Sequence, residues 1–525
     1  MGKNRSAFVF LLSFLIVNFA TLHSIHADSL TKNIENPRYG GILKIILPSG
    51  IRSLGSPSEA GMGTLYNIIA APQLEALVKH DKQFRIQPRL AEKVDISSDG
   101  KTITFHLRKG ITFQDGTPFN AAAVEYDIKN YTTNQVQPSY IKSISSYDIL
   151  DEHTIRLNLS EFNLNLLFNL VWGPGFAVSA QAMQRETTPE KMAYDHMVGT
   201  GAFKLVEYER DVKAIFKKDD DYWQPGKPYL DGIEFHQISD PVTAVMALKA
   251  GEGHMLYNIT PEQGAELKEA GFNIVPENLN PIGYITPDGG NADSPFSNKK
   301  VREAVEYAID KHALAKGIGL GYYTALSQFA TENDAHYTSG LSARNYDAEK
   351  AKKLLADAGY PNGFNTEILA LTTENTDILL SLQAYLGAVG IKAKLNIMDR
   401  GLLFKTMHEG WNNGILVNPF PCNTGLPVKI EMFFSADMKA GRLVMGSVYK
   451  PEGWQEALMK AVNEPDDEKR IEYTKTVCKI MHDEAMAIPL WTAPQITAIS
   501  PKVHDIQWAE GHGYFWEPQN TWLSK

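Results

Sequence analysis

Ile103, Phe105 and Leu107 alternate with Thr104 and His106 behind the turn signal SSDG, and Ile155, Leu157 and Leu159 repeat the alternation after Asp151. Period-two patterning of this kind predicts hairpin strands. Helical spacing takes over elsewhere. Asp240 caps and Pro241 opens a helix whose Val242, Val245 and Met246 form one face, ending at Gly251. From Asp347 another helix turns Ala351, Leu354 and Leu355 inward, carries an exposed Glu349–Lys353 pair and stops at Gly359. A third, Thr376 to Val389, ends at Gly390 and feeds the alternating strand Ile391, Ala393, Leu395, Ile397. Helices that hand over to strands through a glycine predict an α/β chain. No internal repeat of about 20–50 residues interrupts this order.

The front of the chain sets the expected compartment. Lys3 and Arg5 precede an almost wholly apolar run, Ala7 to Ala20, which relaxes to Ala27 before the first acid, Asp28. This is the pattern of a secretory signal peptide cleaved after Ala27. The run is too short to span a bilayer, which takes about 20 residues, so no membrane insertion of the mature chain is expected. No cysteine precedes Cys422, which argues against a lipid anchor at the cleavage site; a periplasmic location fits.

Length and charge narrow the partners. A chain of 525 residues divides into more than one domain, and its net charge of −10, without a basic cluster, argues against nucleic acid. Two cysteines give no disulfide framework. Cys478 shares a helical stripe with Ile471, Thr474 and Met481 and reads as a buried thiol; a bridge to Cys422 in its Pro/Asn/Gly-rich loop is the alternative.

Catalytic signatures are missing from the sequence. There is no GxSxG, HExxH, GxxxxGK[ST] or CxxC. Ser297 and Lys300 satisfy SxxK without KTG or SDN, and Ser297 reads as a helix entry. Gly317, Gly319 and Gly321 follow a helix instead of opening one and read as a flexible helix-to-strand link. The histidines stand singly, without the i, i+4 pairing that puts two imidazoles on one helix face. His482 beside Asp483 and Glu484 reads as a solvated helix face. No metal, cofactor or catalytic residue is expected.

The segment PRLAEKVDISSDGKTITFHLRKGITFQDGTPFNAAAV, 88–124, is followed in order by VGTGAFKLVEY, DYWQPGKPYLDGIEF, DPVTAVMALKAGE, FSNKKVREAVEYAID and YDAEKAKKLLADAGYPNGF. Together they resemble the family 5 extracellular solute-binding proteins, the peptide, nickel and opine class of ABC importers. The resemblance implies a two-lobed α/β clamshell of the periplasmic binding protein type. Lobe I would comprise 28–70, 199–282 and 490–525, with an extra subdomain, 71–198, inserted; lobe II would be 283–489. Asn280 to Gly283 and the extended link Ile488 to Trp491 would carry the two crossings. Ligand would bind between the lobes, and the receptor, a monomer, would deliver it to a membrane permease with its ATPases. A sensor or chaperone-like binder on the same fold, or a periplasmic hydrolase, are the alternatives.

Peptide capture needs a carboxylate for the ligand's ammonium, because an unpaired buried charge is costly. In peptide-binding members an aspartate supplies it from a loop whose counterpart here, GWNNGILVNPFPCNTGLP at 410–427, contains no acid. That departure predicts neutral or anionic ligands, read by Trp411, Asn418, Phe420 and Asn423, with free dipeptides and tripeptides failing to stabilise the protein. The loop SGIRSLGSPSEAGMG, 49–63, contributes Arg52 and Glu59 as charged candidates, and His512, between two glycines that let a backbone approach closely, is a further contact.

Overall fold

The computed structural model describes residues 36–51, 54–60, 64–81, 85–134, 139–277, 282–332, 334–418, 425–438, 443–506 and 516–525. Tyr39–Lys525 form one compact unit; of the preceding unit, Met1–Arg38, only 36–38 are described, so the expected signal peptide lies outside the described residues.

Among the described residues, three sheets of four or more strands organise the chain, beside two two-stranded ones. The strand ILKIIL, Ile42–Leu47, lies at the centre of a seven-stranded sheet, parallel to Gly232–Gln237 on one side and Met255–Ile259 on the other. Buried parallel strands read as continuous apolar runs, as this one does. Its Leu43, Ile45 and Leu47 pack with Phe203, Phe216, Phe235 and Trp516. A six-stranded sheet holds Ile282–Pro287, Gly414–Asn418, Phe364–Leu371, Ile391–Met398, Ile488–Thr492 and Thr324–Ala325. The third sheet is antiparallel and four-stranded, with Thr102–Leu107 and Thr154–Leu159 as its paired middle strands. Helix Ala121–Asn134 covers it with Val124 and Ile128, which join Phe105 and Leu157 in one apolar cluster.

The route between sheets defines two lobes. The chain leaves the seven-stranded sheet after Leu47, builds the four-stranded one, and returns at Phe203. It passes to the six-stranded sheet between Pro276 and Ile282 and comes back between Thr492 and Ile496. Ile488 to Trp491, expected as an extended link, are instead ladder residues of the six-stranded sheet, since Ile282 pairs with Thr492 and Ile285 with Ile488. Their continuous burial explains why an edge-free strand containing a proline looked like a connector.

Several local expectations hold and some shift. Asp240 caps Pro241–Lys249 by accepting from Thr243 N–H at 2.7 Å. The inward face of that helix is Ala244, Val245 and Leu248, while Val242 and Met246 are exposed. The small Ala244 and Ala247 let this side approach the sheet, so of the expected face Val245 is buried while Val242 and Met246 are not. Glu349 pairs with Lys352 at 2.8 Å instead of Lys353. Gly317 and Gly319 lie inside helix Lys311–Gly319, and the turn comes at Leu320 and Gly321, both at positive φ. His482 is not solvated: its Nε2 lies 3.1 Å from Ser342 O and its side chain is 8% exposed. Ser297 does sit at a helix entry, in the turn before the Asn298 cap of Lys299–Ala308. Cys478 is a buried free thiol whose pKa burial pushes far up; Cys422 lies outside the described residues.

The glycines of VGTG are required by contact. Gly201 N–H donates to Gln73 O at 2.9 Å, and a Cβ on Gly201 would stand 2.5 Å from Pro72 O. A Cβ on Gly199 would likewise run into Gln73 O. Backbone cannot yield as a flexible side chain does. Gly201→Ala is therefore expected to lower the unfolding free energy by about 1–3 kcal/mol in urea titrations. Gly317→Ala, helical with nothing near its Cβ, should be neutral or stabilising by up to about 1 kcal/mol. Equal effects from the two would contradict the packing argument.

Candidate ligand site

Motif residues far apart in sequence meet at one carboxylate. Glu75, 1% exposed, accepts from Tyr222 Oη at 2.9 Å through Oε1, and from Thr200 Oγ1 at 2.9 Å and Trp223 Nε1 at 2.8 Å through Oε2. Arg89 Nε stands 3.8 Å from Oε1. Arg108 donates from Nε to Arg89 O at 2.6 Å and lays its guanidinium 5.8 Å from the Trp223 ring centre. Burial, and then the Glu75 charge, hold the Tyr222 phenol far above its ordinary pKa, so it remains a donor. Thr200 comes from VGTG, Tyr222 and Trp223 from DYW, and Arg89 from PRLAEK. Trp223 packs against the apolar clusters of both the seven- and four-stranded sheets.

Beyond the C-terminal end of Ile42–Leu47 the chain forms the short helix Pro57–Ala60. Glu59 is engaged there: Oε2 accepts from Ser56 Oγ at 2.7 Å and Ser56 N at 3.2 Å, and Oε1 lies 2.7 Å from His196 Nδ1. The other His196 nitrogen lies 2.9 Å from Arg185 O. This fixes the loop to the segment preceding VGTG. Beside it lies a small recess, with a cavity volume of about 10 Å³, lined by Ser56, Ser58, Asp127, Asn130, Tyr131 and Phe176, among others.

In the second lobe Trp411 is 4% exposed and fully engaged: Nε1 donates to Gly414 O at 3.1 Å, N donates to Ser447 Oγ at 2.6 Å, and O accepts from Asn291 Nδ2 at 2.9 Å. Buried Asp288 holds the same turn through Asn413 N at 2.6 Å and Asn291 Nδ2 at 2.6 Å; burial raises its pKa.

Among the described residues the lobes touch in at least two places. Tyr322 packs against the cluster of the helix Pro261–Glu269, and a Cβ on Gly264 would meet its ring at 3.3 Å. Elsewhere, helix Leu426–Phe434 of the six-stranded lobe meets helix Leu164–Asn169 of the inserted unit. Val428 is counted in the apolar cluster of the four-stranded sheet, and a Cβ on Gly425 would stand 2.5 Å from Phe168 Cζ. Asn165 Nδ2 donates to Glu431 Oε2 across this contact. Burial, offset by the Asn165 bond and reinforced by the Glu161 charge, pushes the Glu431 carboxyl up to about 6.

Of the residues expected at the site, Glu59 and Trp411 lie in different lobes with their polar atoms engaged internally. Asn418 ends the strand Gly414–Asn418, its backbone paired with Tyr284. Arg52, Phe420, Asn423 and His512 lie outside the described residues. Sequence reasoning passed over Glu75, Asp127 and the Asn165–Glu431 pair. Asp127 carried a readable signal: it stands within the same helix as buried Ala123, Val124, Ile128 and Tyr131, an acid amid an apolar face.

Comparison with known proteins gives the family and the fold. Residues 85–417 match the model of bacterial extracellular solute-binding proteins, family 5, and the chain belongs to that family. It is 33% identical over 344 residues to the glutathione-binding protein GsiB of Escherichia coli O1:K1 / APEC, a match spanning 64% of this chain and 66% of that protein. The fold is that of the periplasmic binding protein DppA from Helicobacter pylori in complex with peptide STSA, at TM-score 0.73 and 24% identity over 93% of this chain and 99% of that one. It is also that of the ABC transporter substrate binding protein CtaP from Listeria monocytogenes, at TM-score 0.79 and 21% identity over 93% and 100%.

Removing the hub carboxylate strands buried donors. Glu75→Gln is expected to cost about 3 kcal/mol or more in urea unfolding, since it leaves the Arg89 charge uncompensated, and adding Arg89→Met should recover part of the loss. A cost below about 1 kcal/mol would contradict the hub. Glu431 gives a pH signature. Its folded pKa of about 6 lies above the ordinary 4.5, so the folded chain binds the extra proton and its stability is fully present below pH 4.5. Raising the pH from 4.5 through 6 should remove about 2 kcal/mol at most, a slope absent in Glu431→Gln.

Proposed function

We propose that this family 5 solute-binding protein is the receptor of an ABC importer, capturing a small peptide-like solute of the glutathione kind between its lobes and presenting it to a permease with its ATPases. The observation that carries the reading is the 33% identity to the glutathione-binding protein GsiB. The fold supports it: two lobes, each with its own sheet and core, are joined among the described residues by two crossings, which suits hinge closure around a ligand. We assign lobe I to 28–70, 199–276 and 496–525 with 71–198 inserted, and lobe II to 282–492; the expected bounds at 282 and 490 move because Ile282, Trp491 and Thr492 pair within the six-stranded sheet. The chain would reach the periplasm through a signal peptide cleaved after Ala27, without a lipid anchor, and act there as a monomer.

The family consists of solute-binding proteins, and the proposal assigns the chain no turnover. Closure is a population shift, driven only by contacts that the ligand makes better in the closed state. The Asn165–Glu431 and Gly425–Phe168 contacts join the lobes and are of the kind that closure would strengthen.

Reduced glutathione and small peptides at 100 times their dissociation constant should add about 2.7 kcal/mol in thermal unfolding and shrink the radius of gyration in solution scattering. No stabilisation and no compaction across that panel would overturn the reading.

A further inference from the structure

We propose that Asp127 is the counter-charge for the primary ammonium group of the ligand, in the recess between the loop following Ile42–Leu47 and the helix Ala121–Asn134; this rests on the receptor reading above. The carboxylate is partly buried and accepts from Val178 N–H at 3.0 Å. Among the described residues no cation pairs with it. The neighbouring carboxylates differ: Asp115 is near Arg185, Glu59 lies against His196, and Glu75 faces Arg89. Burial pushes the Asp127 carboxyl well above the usual carboxylate range, opposed only by the Val178 bond. A group in that position gains most from an external positive charge.

The walls suit an organic ammonium. Ser56 and Ser58 bring hydroxyl oxygens, with Ser56 Oγ 3.0 Å from Ser58 Oγ, and Asn130 donates to Ser58 Oγ at 3.3 Å. Phe176 and Tyr131 supply aromatic surface, which attracts cations. The recess lies beyond the carboxyl end of the central parallel strand, the side on which open α/β sheets take ligands. The acid that the 410–427 loop lacks would thus be supplied from the other lobe, and amine-bearing peptides would bind after all.

The test is calorimetric titration of reduced glutathione, dialanine and trialanine, each with its N-acetylated counterpart, into the full mature chain and into Asp127→Asn. Asparagine keeps an acceptor for Val178 N–H, so apo thermal stability should be unchanged or raised; a purely structural aspartate would show a loss. We expect free amines to bind the wild type at least about tenfold more tightly than acetylated forms, with Asp127→Asn abolishing that preference. Equal affinity for free and acetylated probes, or an unchanged preference in the variant, overturns the assignment and leaves the receptor reading standing. Failure of every probe to bind the wild type overturns both.

Discussion

The buried carboxylate of Glu75 is the joint on which the first lobe depends. A charge at 1% exposure is tolerable only when its oxygens are satisfied, and here phenol, hydroxyl and indole donors converge on it beside the Arg89 guanidinium. The donors come from two segments, Thr200 from one and the adjacent Tyr222 and Trp223 from another, and Arg89 from a third. The inserted unit is thereby fastened to the seven-stranded sheet by directional bonds as well as by apolar burial around Trp223. The close approach of Gly199 and Gly201 to the backbone of Pro72 and Gln73 is what brings Thr200 within reach. With that joint rigid, the loop after Ile42–Leu47 and the helix carrying Asp127 keep a fixed relation.

Rigidity within lobes contrasts with sparse connection between them. Among the described residues the chain crosses between sheets twice, and the bridging contacts at Tyr322 and at Asn165–Glu431 are local. A small set of contacts can be biased by a ligand of ordinary affinity, whereas a continuous core could not. Glu431, whose carboxyl burial pushes up, lies in one of these contacts.

Periodicity made the strands 102–107 and 154–159, the capped helices and the α/β class legible, because alternation and caps are local signals. The ordered motifs gave the family for the same reason. Tertiary choices were not legible. Nothing in the spacing of Val242 and Met246 says that alanines would take the sheet side, and nothing in Ile488 to Trp491 says that a proline-bearing segment would be paired on its ladder. The candidate contacts were chosen from loops, where function concentrates, yet Glu59 and Trp411 turn out to hold their own loops in place. Asp127 was marked locally as an acid among Ala123, Val124, Ile128 and Tyr131, but what its carboxylate meets shows only once the neighbouring segments are placed around it.

Native mass spectrometry of the gently purified mature protein tests the central claim most directly, because closure around a solute slows its release. The account requires a discrete non-covalent adduct, lost under denaturing conditions and identified after release as a peptide-like molecule bearing a primary amine. A bound solute without an amine, such as a sugar or a metal chelate, would contradict it.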